Sequence, residues 1–323
     1  MMSPENCAYM NELGAARIPF VFILDFKGLD PLVFPIDKIP SEVHLVTPVF
    51  SNSTAQANKS TGSFYFNKNP ISFREYDTAF QSVMKELRYG NSYLLNLTFP
   101  TPVETDLGMA EIYHRSEAPY KIWIEDRLVC FSPEIFVTIR NGIISSHPMK
   151  GTIDVTLPNA AQHLLDSEKE RAEHATIVDL IRNDLSRVAE QVRVKRYRYL
   201  DEIQTSHGPL LQMSSEIAGQ LPTDYHRHIG DILAELLPAG SVSGAPKIKT
   251  LEIIDRVETY ERGHYTGVFG IFDGWDLHSA VMIRYMEQTP EGLVFKSGGG
   301  ITALSNSRDE YNEMIAKVYV PIT

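Results

Sequence analysis

The dipeptide Asn141-Gly142 is the strongest local constraint on how this chain folds. It separates two short apolar runs rich in β-branched residues, 136–139 and 143–144. Asn-Gly in that setting is typical of the two-residue turn of a β-hairpin. The second run leads into His147-Pro148-Met149-Lys150-Gly151-Thr152. The sequence therefore predicts antiparallel pairing, with Lys150 leaving the end of a hairpin. Pro148 restricts the residue before it to extended conformations, and Gly151 can take a positive φ or let a ligand approach the backbone.

Lys150 has two interpretations. Most lysines are solvated, so an exposed loop lysine is the simpler one. An amine attacks carbon only when it is neutral, and an unperturbed lysine, with a pKa of ~10.4, is neutral in fewer than about one molecule in a thousand at pH 7. A catalytic role for Lys150 would therefore require burial or a neighbouring proton acceptor.

The rest of the chain shows strands and helices in separate blocks. Apolar runs predict strands over 20–26, 32–36, 43–49, 92–98, 120–147, 267–272, 279–285 and 293–296. Helical spacing predicts helices over 72–90, 166–191, 225–237, 246–257 and 308–318, and the polar stretch 51–62 reads as a surface loop. Strict alternation of strand and helix is missing, so the predicted fold class is α+β with antiparallel sheet.

Composition excludes several classes of protein. The chain has 323 residues, of which 43% are hydrophobic, and a net charge of −11, which is typical of a globular protein and argues against a nucleic-acid partner. Its apolar runs are shorter than a membrane span, and the N-terminus lacks the pattern of a signal peptide. We expect a cytoplasmic protein without a membrane partner. Cys7 and Cys130 are too few for a disulfide framework, so free thiols are expected.

Two glutamates are candidates for metal binding. Glu173 falls on the apolar stripe of the long predicted helix, where a carboxylate must be ion-paired, protonated or bound to a cation. Glu313 precedes Lys317 by four residues, which is the spacing of a common surface ion pair. If both carboxylates face one site, a small number of hard oxygen ligands is the kind of set that Mg²⁺ accepts.

Three further features could bind carboxylates. The run Ser297-Gly298-Gly299-Gly300 offers backbone N–H groups, which we expect between a strand and the terminal helix. The small residues of segment 238–247 precede a predicted helix N-terminus, which favours anions. Arg284 is the only charged residue in 280–286 and either pairs with a structural acid or grips a carboxylate. Together these features predict a small polyanionic substrate.

The ordered motifs of residues 70–323 resemble those of the chorismate-utilising enzymes. The motifs are Ser132-Pro133-Glu134, Pro148-Met149-Lys150-Gly151-Thr152, Ala172-Glu173-His174, Asp179-Leu180-Ile181-Arg182-Asn183-Asp184, segment 240–247, Tyr265-Thr266-Gly267, Ile283-Arg284, segment 297–300 and segment 313–317. The resemblance implies two layered halves of antiparallel sheet and helix around a central cleft, as in anthranilate synthase component I. It also implies a strand-rich segment over 1–70 packed on a chorismate-binding catalytic domain over 71–323.

Lys150 selects among the activities of that family. Anthranilate and isochorismate synthases usually carry a small residue at this place, whereas the members that aminate chorismate carry lysine. The resemblance thus implies conversion of chorismate and ammonia to 4-amino-4-deoxychorismate, through a covalent adduct on Lys150. The alternatives are an anthranilate or isochorismate synthase and, from another class, a noncatalytic chorismate-binding subunit.

The same resemblance implies a role for each motif residue. Glu134 is the general acid for the leaving hydroxyl, and Glu173 and Glu313 are ligands of Mg²⁺. The substrate-binding positions are Thr152, Ser243, Gly244, Ala245, Tyr265, Arg284, Gly298, Gly299 and Lys317.

Two departures from the family pattern sharpen the expectation. Gln212 stands where relatives commonly carry a histidine linked to pyruvate elimination, which favours a product that retains its enolpyruvyl group. Neither cysteine lies in a glutaminase signature, so ammonia is expected from a separate glutamine amidotransferase subunit. The stretch associated with tryptophan feedback is also missing, and regulation by tryptophan is not expected.

Overall fold

The computed structural model describes residues 2–53, 62–205 and 208–322, without the side chains of Lys150, Thr152, Lys169 and residues 203–205. Within these residues the framework is two nine-stranded antiparallel sheets. The first sheet contains β1 (Phe20–Leu24), β2 (Leu32–Pro35), β9 (Ile135–Arg140), β10 (Ile143–Ser146), β11 (Met149–Asp154), β12 (Glu190–Thr205), β13 (Gly208–Gln220), β15 (Val268–Phe272) and β16 (Leu277–Val281). The second contains β3 (Val43–Thr47), β4 (Phe50–Ser51), β5 (Phe66–Lys68), β6 (Leu94–Thr105), β7 (Tyr120–Ile124), β8 (Leu128–Ser132), β14 (Gly244–Ala245), β17 (Tyr285–Thr289) and β18 (Gly292–Ile301).

Eight α-helices accompany the sheets in the described ranges. They are α1 (Pro4–Ala15), α2 (Phe73–Tyr89), α3 (Met109–Arg115), α4 (Ala160–Asp166), α5 (Glu168–Leu185), α6 (Ile229–Leu236), α7 (Lys247–Val257) and α8 (Ser307–Ala316). Short 3₁₀ turns cover Ile36–Lys38, Tyr225–His228 and Gly240–Val242. The strand order is β11-β13-β10-β9-β16-β15-β1-β2 in the first sheet, with β12 on β13, and β14-β6-β18-β17-β8-β7-β3-β4 in the second, with β5 on β6.

The predicted Asn141-Gly142 hairpin is confirmed. Both turn residues have positive φ, 51° and 75°, and Arg140 pairs directly with Ile143 across the turn. Two central residues with positive φ define the turn whose twist matches that of paired strands. The hairpin places β10 beside β13. The next strand, β11, also pairs with β13.

Lys150 lies in strand β11, within a β-bulge. Met149 pairs with Ser214 and Thr152 pairs with Gln212, so the register shifts by one residue between these pairs. Gly151 has φ +83°, as predicted for the glycine after the lysine. A bulge bends the strand and redirects a side chain, and bulges are frequent beside active sites.

Two of the places where the chain passes between the two sheets are adjacent. Pro133-Glu134 joins β8 of the second sheet to β9 of the first, and residues 282–284 join β16 back to β17. The prediction of one strand over 279–285 is therefore wrong. The strand is interrupted because Arg284 has φ 52°, which breaks extended pairing at the point where the chain changes sheet.

Helix α2 confirms its predicted boundaries through its caps. Ser72 and Glu75 form a reciprocal capping box at the N-terminus, and Gly90, with φ 83°, ends the helix. These contacts satisfy backbone groups that the helix itself leaves unpaired.

The predicted helix over 166–191 extends too far. Helix α5 ends at Leu185, and strand β12 begins at Glu190. From that point partly buried Val192 and Val194 alternate with exposed residues, which is the period of a strand rather than a helix. The long β12–β13 hairpin that follows was not predicted.

The residues before position 70 contribute to both sheets. Strand β1 lies between β15 and β2 in the first sheet, and β3 pairs with β7 in the second. Helix α1 was not predicted. It packs on α6 and is fixed there by the Asn11 side chain, which accepts a hydrogen bond from the Gly230 N–H at 2.8 Å.

Both cysteines are free thiols, as expected, with Cys130 buried and Cys7 partly buried. Among the described residues, the helices lack the combination of length and apolar character that a bilayer span requires.

Candidate functional site

A cavity of about 670 Å³ takes its walls from both sheets and from helices α5 and α8. It brings together most of the residues that the sequence singled out. Those that line it are Glu134, Glu173, Ser243, Gly244, Tyr265, Arg284, Gly298, Gly299, Glu313 and Lys317. Ala245 does not line it. The Lys150 and Thr152 side chains are outside the described part of the chain, although Met149, Gly151 and Gln212 around them form one wall.

Glu134 enters the cavity from the crossover between β8 and β9. Its backbone N–H donates to Ser132 Oγ at 3.1 Å, and its carbonyl accepts from Val281 N–H at 3.0 Å. The backbone of Glu134 is therefore fixed on both sides, which leaves its partly exposed side chain directed by a rigid turn.

Lys317 and Glu313 form the ion pair that their spacing predicted, with 2.8 Å between Nζ and Oε1. Lys317 Nζ also donates to the Gly298 carbonyl at 2.9 Å. A methyl group added at Gly299 would lie 3.5 Å from Glu310 Oε2, 3.7 Å from Lys317 Nζ and 3.8 Å from Glu313 Oε1. The space left by the missing side chain of Gly299 is therefore where two carboxylates and one ammonium group converge.

The glycine run lies inside β18, so its predicted position between a strand and the terminal helix is wrong. Gly298 pairs with Thr98 and Gly300 with Asn96 on β6, whereas pairing with β17 ends at Lys296. Alternate N–H groups of an antiparallel strand point to opposite sides. Some N–H groups of the glycine run therefore point away from β6, and an anion on that side could accept hydrogen bonds from them.

Arg284 joins the cavity to the end of α8. Its Nη1 donates to the Lys317 carbonyl at 2.8 Å, and its guanidinium lies 4.5 Å from the ring centre of Tyr319. A positive φ at a residue that is not glycine is strained and is often found at functional sites. The Arg284 guanidinium thus binds the backbone at the C-terminal end of α8. Arg284 also lines the cavity.

The segment Ser243-Gly244 presents backbone to the cavity. The Ser243 hydroxyl donates to the Ala239 carbonyl at 2.9 Å. Gly244 has φ +137°, and a Cβ there would lie 1.9 Å from the Leu94 carbonyl oxygen. Only glycine fits at this position, and the Ser243 hydroxyl is already engaged in the protein.

Tyr265 supplies a neutral donor. Its side chain is buried, and burial raises the pKa of its phenol well above the usual value. The phenol therefore stays protonated at neutral pH and can donate to a substrate oxygen without adding negative charge.

Sequence reasoning missed two glutamates that line the same cavity. Glu170 lies one turn before Glu173 on α5, and Glu310 lies one turn before Glu313 on α8. Glu310 is buried and accepts a hydrogen bond from Ser305 Oγ at 2.8 Å. The i, i+3 spacing of both pairs was the available signal, because residues three apart share a helix face.

Lys296 was also missed. It lines the cavity, is buried, and lies 2.6 Å from Glu287. Burial lowers the pKa of Lys296, and the contact with Glu287 opposes that shift. With its charge compensated by Glu287, Lys296 supports the wall of the cavity.

The acidic residues are compatible with Mg²⁺ but do not form a closed cage. In the described part of the chain, no group of three or more His, Cys, Asp or Glu side chains is arranged to hold a metal ion. Mg²⁺ typically takes only one or two protein carboxylates and completes its shell with water and ligand oxygens. Glu173 and Glu313, which line one cavity from two helices, fit that kind of site.

Comparison with known proteins gives a consistent picture. The family described as chorismate binding enzyme matches residues 36–323. An uncharacterised PabA-like protein of Haemophilus influenzae is 50% identical over 97% of this chain and 95% of its own length. Aminodeoxychorismate synthase component 1 of Klebsiella aerogenes is 34% identical over 77% of this chain and 57% of its own length.

A solved structure supports the fold. Anthranilate synthase component I of Streptococcus pneumoniae superposes with a TM-score of 0.68 at 28% identity, over 80% of this chain and 59% of that one. The predicted fold, α+β with two antiparallel sheets and helices like that enzyme, is confirmed. This chain spans less than two thirds of the length of the Klebsiella and Streptococcus proteins.

Gly151→Ala tests the packing of the bulge. We expect a backbone cost of about 1–2 kcal/mol from the positive φ. A further cost of about 1–3 kcal/mol should come from overpacking, because the added Cβ would lie 2.8 Å from Glu170 Oε2 and 3.0 Å from Leu164. Chemical denaturation measures the free energy of unfolding.

Gly90→Ala is the matched control for Gly151→Ala. Gly90 has the same φ of +83°, but a Cβ there would meet nothing within 4 Å. It should show only the backbone cost. Equal losses in the two variants would contradict close packing of Glu170 against the bulge.

Proposed function

Because this chain belongs to the chorismate binding enzyme family, whose pattern covers residues 36–323, we propose that it is an aminodeoxychorismate synthase component I. It converts chorismate and ammonia to 4-amino-4-deoxychorismate and water. The observation that carries the proposal is Lys150, located in a bulge whose flanking residues Met149 and Gly151 line the same cavity as Glu134. Relatives named aminodeoxychorismate synthase component 1, at 34% identity, add support.

In the first step the neutral amine of Lys150 attacks C2 of chorismate. The C2–N bond forms, both ring double bonds shift (C1=C2 and C5=C6 become C1=C6 and C4=C5), and the C4–O bond breaks. Glu134 gives its proton to the departing hydroxyl, which leaves as water. Glu134 suits this role because its backbone is fixed by Ser132 and Val281, so its carboxyl group can be held in one direction.

In the second step ammonia attacks C4. The C4–N bond forms, both ring double bonds shift back, and the C2–N bond to Lys150 breaks, so that lysine returns as an amine. The carboxylate of Glu134 accepts the proton that the new ammonium group loses. The two displacements exchange oxygen for nitrogen at C4 and restore the enzyme.

Carboxylate recognition is assigned to a second group of cavity residues. Arg284 and Lys317 supply positive charge, Tyr265 supplies a neutral O–H, and Gly298-Gly299 supplies unobstructed backbone. Because charge-assisted hydrogen bonds are about twice as strong as neutral ones, Arg284 and Lys317 contribute most of the affinity for the anionic substrate.

Glu173 and Glu313 would hold Mg²⁺ in this proposal. The ion would supply a positive charge that neutralises one carboxylate of chorismate. Lys317 already lies 2.8 Å from Glu313, so it shares that carboxylate and keeps the local charge balanced.

Gln212 favours a product that keeps its enolpyruvyl group. It lines the cavity beside the bulge, and a neutral amide has no titratable proton with which to serve elimination. This distinguishes the proposed reaction from that of an anthranilate synthase, which must also remove pyruvate.

Ammonia is proposed to come from a separate glutamine amidotransferase subunit. The name component 1, carried by relatives, implies a second component. Burial raises the pKa of both thiols, Cys7 and Cys130, so neither favours the thiolate that glutamine hydrolysis by a cysteine requires.

Product analysis tests the proposed reaction. We expect 4-amino-4-deoxychorismate, identified by mass spectrometry, when the chain is incubated with chorismate, Mg²⁺ and an ammonium salt. The yield should rise with pH as more free ammonia is present, and glutamine should not replace ammonium. Anthranilate or isochorismate as the main product, or product formed from glutamine by this chain alone, would contradict the proposal.

Lys150→Arg separates nucleophilic from electrostatic roles. Arginine keeps the positive charge but does not deprotonate near neutral pH. We expect the amination rate to fall at least about a hundredfold, which is the scale of losing covalent catalysis, while chorismate still binds in calorimetry. Lys249→Arg, at an exposed position, is the control. A Lys150→Arg rate near that of the control would exclude Lys150 as the nucleophile.

Glu173→Gln tests the metal proposal. Loss of an anionic ligand should weaken Mg²⁺ binding, measured by calorimetry, and should remove most turnover. Glu168→Gln on the same helix is the control, because the Glu168 side chain is 89% exposed. Full activity of the wild-type chain in excess chelator would rule out a required metal.

A further inference from the structure

We propose that Arg262 is a positioning residue that fixes the carboxylate-binding side of the cavity. The inference rests on the proposed function in one respect only, that chorismate is the ligand. Arg262 does not itself line the cavity. It lies behind the wall, only 2% exposed, and acts through the backbone segments that it holds.

All five N–H groups of the Arg262 guanidinium are engaged. Nε and Nη2 donate to the two Glu258 oxygens at 2.8 and 2.7 Å, and Nη2 also donates to the Asn96 carbonyl at 2.7 Å. Nη1 donates to the Val242 carbonyl at 2.8 Å and to Thr266 Oγ1 at 3.3 Å. One side chain therefore links its own segment, which includes Thr266, to two segments that are distant in sequence, at Asn96 and Val242.

Each of these segments reaches the cavity. Asn96 and Val242 line it, and Val242 directly precedes the Ser243-Gly244 backbone. Thr266 directly follows Tyr265, which also lines it. Arg262 thus sets the distance between two cavity elements, the Ser243-Gly244 backbone and Tyr265.

Glu258 extends the same network to the glycine run. Its Oε1 accepts from the Thr98 N–H at 2.9 Å and from the Thr98 hydroxyl at 2.8 Å. Thr98 pairs with Gly298 on the neighbouring strand. Lys296 adds a further link, because its Nζ donates to the Arg262 carbonyl at 2.9 Å. The Glu258–Arg262 pair therefore contacts residues beside the Ser243-Gly244 backbone, Tyr265 and the glycine run. Within the described residues, it does not contact Arg284 or Lys317.

Only arginine can make this set of contacts. Lysine has three donors on one atom, whereas the planar guanidinium carries five in a fixed fork. Arg262→Lys keeps the charge opposite Glu258, so it avoids leaving a buried carboxylate uncompensated. It cannot reach Asn96, Val242 and Thr266 together, and that loss is what the substitution isolates.

Steady-state kinetics with chorismate test the inference. We expect Arg262→Lys to raise KM by at least about tenfold, the scale of losing one hydrogen bond to a charged donor. The kcat value should stay within about threefold, because binding lost equally in the ground and transition states appears in KM alone. Calorimetry should show the same increase in the Kd for chorismate.

Arg17→Lys is the matched control. Arg17 Nη1 donates to the Gly274 carbonyl at 2.8 Å, and its guanidinium stacks on Trp275, away from the cavity. This variant loses a comparable guanidinium–carbonyl contact. We expect a lower melting temperature with unchanged KM, with all rates measured below the melting temperature of every variant.

The outcomes are separable. Unchanged KM in Arg262→Lys, or a fall in kcat alone, overturns the positioning role. If Arg262→Lys does not fold, Thr266→Val decides. It keeps the side-chain shape but removes the hydroxyl that accepts from Arg262 and donates to the Tyr265 carbonyl, which together form the link from Arg262 to Tyr265. A smaller rise in KM supports the role, and no rise overturns it. A wild-type chain that binds chorismate without aminating it loses only the proposed reaction, and Kd still tests Arg262. A wild-type chain that binds no chorismate overturns both.

Discussion

The arrangement of the cavity walls depends on two hydrogen bonds that join two of the places where the chain passes between its sheets. Phe131 N–H donates to the Arg284 carbonyl, and Val281 N–H donates to the Glu134 carbonyl, each at 3.0 Å. Each crossover is therefore held by a residue next to the other one. This fixes the backbones of Glu134, the proposed general acid, and Arg284, the proposed carboxylate-binding residue, relative to each other. Rigid placement of this kind is what catalysis by orientation requires.

Local chemistry explains which parts of the fold could be predicted. Asn141-Gly142, Ser72 and Gly90 were informative because a turn or a cap is determined by a few neighbouring residues. The strand over 279–285, the glycine run and the end of α5 were placed wrongly. The glycine run and the crossover at 282–284 depend on strands β6, β8 and β9, which are far away in sequence. The end of α5 depends on the β12–β13 hairpin that follows it, and one-dimensional patterns carry little information about strand partners.

The residues of the candidate site also divide into those that the sequence could reveal and those that it could not. Residues that carry charge into an apolar pattern, such as Glu173 and Arg284, could be recognised from the sequence, and the cavity brings them together. Glu170 and Glu310 could have been found from their i, i+3 spacing. Arg262 could not, because its role consists of contacts with the carbonyl groups of Asn96 and Val242, and backbone acceptors leave no mark on the sequence.

The bulge in β11 has an evolutionary consequence. Lys150 and Gly151 fall between the paired positions Met149 and Thr152, so the residue at position 150 is not a member of the ladder. Because residue 150 contributes no paired position, we expect exchange of its side chain to leave the pairing of β11 with β13 intact. A scaffold of this kind can acquire or lose a nucleophile by one substitution. Related chains can therefore share the fold and differ in the reaction.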